Sequence, residues 1–76
     1  SAPMQNKFHA ASDRAIEELS ILNDYAPSDP WIHAQLAQIY HDKGLADLEI
    51  KEYETLLKLH PSDKEILYRL GVLYFK

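Results

Sequence analysis

A chain of 76 residues makes one small domain at most, and without cysteine it has neither disulfide staples nor a thiolate zinc site. The net charge of −4 leaves no basic stripe to release counterions from phosphates, which argues against nucleic acid. No apolar run approaches the ~20 residues of a membrane span and no signal-peptide core is present, so membrane insertion is not expected and the cytoplasm is favoured over the periplasm or another soluble compartment.

Ser1-Ala2-Pro3 carries no weight, and residues 1–11 form an N-terminal segment for which a helix is one of the readings. Met4, Phe8 and Ala11 continue a helical period, either as a preceding helix or as the start of one long helix. The first firm helix is predicted from about Ser12 to Tyr25, capped by Ser12 or Asp13, with Ala15, Ile16, Leu19, Leu22 and Tyr25 forming an apolar stripe. Asp29 then caps a second helix with Pro30 at its first position, running to about Lys43 and stopped by Gly44. A third helix covers about Ala46 to Leu59 and ends at His60, because Pro61 disfavours helical backbone in the residue before it. Ser62-Asp63-Lys64-Glu65 reads as a capping box that opens a fourth helix to the terminus. Links of about two to five residues require successive helices to pack antiparallel as hairpins.

The chain also matches itself at a fixed spacing. Pro27-Ser28-Asp29 recurs as Pro61-Ser62-Asp63. At the same offset Ile16 matches Ile50, Glu18 matches Glu52, Leu22 matches Leu56, Ile32 matches Ile66, Leu36 matches Leu70 and Tyr40 matches Tyr74. Ala37 and Gly71 form a conservative pair. Chance identity at ordinary composition is roughly one pair in fifteen. A period in the twenties to fifties signals stacked units that bury their apolar faces on one another.

On these residues the chain resembles the tetratricopeptide repeat family. One complete unit spans residues 30–63, with the small packing residue Ala37 after Leu36, the aromatic Tyr40, the turn glycine Gly44, the second-helix aromatic Tyr53 and the closing Pro61. The preceding unit contributes its second helix, with Ala15 and Pro27, and the following unit its first, with Leu70, Gly71 and Tyr74. Glu49 stands where the family usually has alanine, Leu56 replaces another small residue, and His33 holds the slot of the usual aromatic, from which Trp31 is offset. The resemblance implies an all-α domain over residues 12–76: antiparallel hairpins stacked as a right-handed superhelix of about four or five helices. Ala37 and Gly71 are expected to admit a partner helix closely, so a bulky residue at Gly71 should overpack the interface.

Catalytic chemistry finds little support. His9, His33, His41 and His60 lack metal-ligand spacing, and no His-Glu-x-x-His occurs, so solvated or half-buried histidines are expected and no metal or cofactor. Asp42 beside His41 lacks a nucleophile elbow, and Gly44 and Gly71 are too isolated to cradle phosphate. Glu17-Glu18 and Glu52-Glu54 read as a solvated outer surface. The expectation is a binding protein rather than an enzyme.

In a stack of hairpins the first helix of each unit lines the concave side. Trp31, Ala34 or Gln35, Gln38 and His41 form one stripe there, and Glu65, Tyr68 or Arg69, Val72 and Phe75 the matching one. Their mix of aromatic, amide and charged groups suits an extended peptide or a helix of a protein partner. Trp31 is equally readable as core, whereas Tyr68 and Gln38 are read as groove. Relatives that hold chaperone C-termini use lysine, asparagine and arginine here. Of that set only Arg69 is matched, with Gln38, Glu65 and Ala34 in the other slots, so that ligand is disfavoured. The apolar ending Leu70, Val72, Leu73, Tyr74, Phe75 has no polar capping helix after it. This suggests either an excised piece of a longer array or, as the alternative function, a self-associating assembly domain that pairs through its terminal helix.

Overall fold

The computed structural model describes the backbone of residues 2–76 and the side chains of residues 10–76. It contains four helices, α1 (Ala2–Tyr25), α2 (Pro30–Lys43), α3 (Ala46–Leu59) and α4 (Lys64–Phe75), and no strand among the described residues. The open choice at the N-terminus falls to one long helix. Ser12 and Asp13 therefore lie inside α1 and do not cap it; Lys43 Nζ at the end of α2 reaches back to Ser12 Oγ at 3.2 Å and Asp13 Oδ1 at 2.8 Å. The side chains of Met4, Phe8 and His9 lie outside the described residues.

The boundaries follow from local chemistry. Asp29 accepts the Trp31 amide at 2.9 Å, and Pro30, which has no N–H, occupies the first helical position. Gly44 ends α2 at φ 73°, a left-handed conformation that only glycine adopts without Cβ strain. The Gly44 and Leu45 amides close onto the His41 and Tyr40 carbonyls at 3.1 and 2.9 Å, the two bonds of a Schellman motif. At α4 the cap is Asp63, not Ser62: its Oδ1 accepts the Glu65 and Ile66 amides at 2.9 and 3.2 Å. Asp63 is the residue of extended backbone immediately before Lys64, so its carboxylate meets the first free amides of the helix.

The sequence repeat holds at the level of atoms. Leu22 O accepts the Ala26 amide as Leu56 O accepts that of His60, and Ala26 O accepts Asp29 N as His60 O accepts Asp63 N. Packing repeats as well. Leu19, Ile32 and Leu36 form one buried cluster, flanked by Ile16 and Ile39. Tyr53, Ile66 and Leu70, their matches, form the other with Ala37 and Leu56, flanked by Ile50, Leu57 and Leu73.

Among the described residues each helix packs its backbone only on its sequence neighbours, α1 on α2, α2 on α3 and α3 on α4. The Cα radius of gyration is 13.4 Å and the extents are 42 × 33 × 15 Å. A centred globule of this length would have a radius of about 11 Å. The helices therefore lie in a slab rather than around a common centre.

Three expectations about individual residues change. Ala37 is fully buried, as a small packing residue should be, but Gly71 is exposed, and a Cβ built on it meets no atom within 4 Å. No described part of the chain packs on that side of α4, so nothing is there to overpack. His33 is 6% exposed rather than solvated. Its Nε2 donates to the Pro27 carbonyl at 2.7 Å and its Nδ1 lies 2.8 Å from Glu52 Oε1, which also takes Glu52 off the outer surface. Its slot points into the hairpin, where burial tolerates a polar ring only with both nitrogens bonded. Glu54 is exposed but accepts the Tyr74 hydroxyl at 2.8 Å.

Candidate protein-interaction cleft

Helices α2 and α4 stand either side of α3, and an open cleft of about 550 Å³ runs between them. The Asp29 cap fixes the first turn of α2, and from there Trp31, Ala34, Gln35 and Gln38 fall three and four residues apart on one wall. Glu65, Ile66 and Arg69 make the other wall, positioned by the Asp63 cap. Tyr53 and Leu56 of α3 form the floor.

Trp31 is 57% exposed, so its ring stands on the cleft wall rather than in the core. Gln38 Nε2 donates to Asp42 Oδ1 at 3.1 Å, a solvent-side bond that leaves its amide oxygen to accept. On the facing wall Arg69 grips Glu65 Oε1 through Nη2 at 2.9 Å and Nε at 3.0 Å. Burial raises the Tyr53 phenol above the ordinary tyrosine value, with the nearby Arg69 cation opposing the shift, so the floor stays uncharged. The cleft therefore offers an apolar base, amide donors and acceptors on one side, and a mutually neutralised ion pair on the other.

The structure does not bring all the expected residues together. Trp31, Ala34, Gln35, Gln38, Glu65 and Arg69 line the cleft. His41 instead turns its Nδ1 to Glu49 Oε2 at 3.1 Å. Tyr68 and Val72 lie around a separate shallow depression with Gly71 and Phe75. Sequence reasoning missed the floor residues Tyr53 and Leu56, whose apolar periodicity marks them only as core. Glu49, outside the cleft, is a buried carboxylate.

Among the described residues no group of three or more His, Cys, Asp or Glu side chains gathers to hold a metal ion, and no helix is long and apolar enough to cross a membrane. Compared with known proteins, the chain matches no family model, no curated protein and no solved structure.

Proposed function

We propose that this chain is a tetratricopeptide-type interaction module, a right-handed stack of helical hairpins that holds an extended peptide segment of a partner protein in the cleft between α2 and α4. The observation that carries the reading is the cleft itself, walled by the exposed Trp31, by Gln35 and Gln38, and by the Arg69–Glu65 pair. An aromatic anchor beside side-chain amides is the composition that grips a peptide backbone without demanding a particular sequence. The atomic repeat of caps and core clusters supports the family part of the reading. The role is binding rather than catalysis.

The test is selection of peptides from a random displayed library on the immobilised chain, followed by titration against the parent, Trp31→Ala and Gln38→Ala. Trp31→Ala is expected to weaken binding tenfold or more, since truncating an aromatic hot spot costs about 2 kcal/mol. Both residues are exposed, so the variants should melt like the parent. Selected peptides that bind both variants unchanged would show that the cleft is not the site.

A further inference from the structure

The end faces of the slab, away from the cleft, are two halves of an interface that the chain already builds once inside itself. In that internal interface α3 covers α2: Ala37 is 0% exposed, His33 meets Glu52, His41 meets Glu49, and Leu56 is 5% exposed. One repeat period on from α2 lies α4, where the same positions are open. Leu67, the match of His33, is 47% exposed. Gly71, the match of Ala37, has free space where its Cβ would be. A hollow of about 820 Å³ lies over Leu57, Pro61, Leu67, Gly71 and Tyr74, the place that α3 fills on the preceding unit.

One period back from α3 lies α1, whose matching face is also uncovered. Leu22 matches Leu56 and is 47% exposed. Ala15 matches Glu49. One substitution pattern ties the two ends together. Inside the chain the His41–Glu49 contact is polar; at the ends both positions are apolar together, Phe75 on α4 and Ala15 on α1. Ala15 and Phe75 are thus compatible in chemistry with meeting as His41 and Glu49 do. The remaining position, Glu18 for Glu52, faces Leu67 rather than a histidine, but Lys58 lines the same hollow and supplies a cation there.

We propose that the occupant of the α4 face is α1 of a second copy of this chain, docked as α3 docks on α2, with Leu22 of the second copy over Gly71 and its Ala15 against Phe75. The contact is heterologous, so each copy leaves one face of each kind free and copies add head to tail into open arrays.

Two single substitutions test this. Leu22→Arg blocks the α1 face and Gly71→Arg the α4 face; both sites are exposed, and circular dichroism should show unchanged helix content. Sedimentation equilibrium of the parent is expected to give a mean mass that rises continuously with concentration, while each variant alone stays at the monomer mass. Mixing the two variants is expected to restore association and stop it at a one-to-one dimer, since each retains the face the other lacks. A parent that remains monomeric at every concentration overturns the proposal. So does a Leu22→Arg variant that still pairs with itself, which would mean that α4 docks on α4.

Discussion

His33 meets an acceptor at each ring nitrogen, the Pro27 carbonyl and the Glu52 carboxylate, an arrangement that favours the doubly protonated ring. Burial by itself would lower its pKa, but the Pro27 and Glu52 bonds outweigh that and raise it above the ordinary 6.5. A raised folded-state pKa stabilises the protein fully below pH 6.5, and the contribution disappears as pH rises through the elevated value. The stability gap between the parent and His33→Gln, measured by urea melts, should therefore be about 2 kcal/mol in mildly acidic buffer and shrink as the pH is raised. A gap that widens with pH would mean a neutral ring. The Ala37 and Gly71 slots make a second contrast at this scale. Gly71→Ala is expected to stabilise by roughly 0.5–1 kcal/mol, because it replaces a helical glycine where space is free. Ala37→Leu should cost about 1–3 kcal/mol, because it drives a larger side chain into a fully buried site. Equal effects at the two slots would contradict the environments described.

At the scale of elements, the start of α4 depends on one residue. Asp63→Ala removes the acceptor of two amides and is expected to cost about 1 kcal/mol, while Ser62→Ala should be near neutral; thermal melts in the same buffer decide between the aspartate and a serine-led box. The limits of α2 and α3 were legible in the sequence because Asp29-Pro30, Gly44 and His60-Pro61 act through backbone geometry that needs no tertiary partner. The start of the first helix was not. Ser12 and Asp13 have the chemistry of a cap, but nothing between Pro3 and Ser12 breaks a helix, and Lys43 from another element gives them a different partner. The cleft was legible in part for the same reason. Spacing along one helix puts Trp31, Gln35 and Gln38 on a wall, but which side chains form the floor depends on how deeply α3 sits between α2 and α4. The polar contacts His33–Glu52 and His41–Glu49 join residues 19 and eight positions apart, beyond the reach of any pattern within one helix.

At the scale of the whole molecule, the slab has no shared centre, so its stability is a chain of neighbour interfaces rather than one core. The helices α2 and α3 each have two packed neighbours, whereas α1 and α4 each have one among the described residues. Opening α4 breaks only its contact with α3, releasing Ile66 and Leu70, whereas opening α3 dissolves the Tyr53–Leu56 cluster and uncovers α2, and opening α2 dissolves the Leu19–Ile32–Leu36 cluster and takes Ala37 out of the other. Native-state hydrogen exchange of the monomer at high dilution should therefore show α4 amides exchanging through a partial opening with little denaturant dependence. The central amides of α2 and α3 should exchange only with the full unfolding free energy. Tyr74, held to Glu54 from the last turn of α4, should move with α4 in this grading. If α4 amides were as protected as those of α3, and with the same denaturant slope, the two clusters would have to unfold as a single unit, and the neighbour-by-neighbour account of the slab would be wrong.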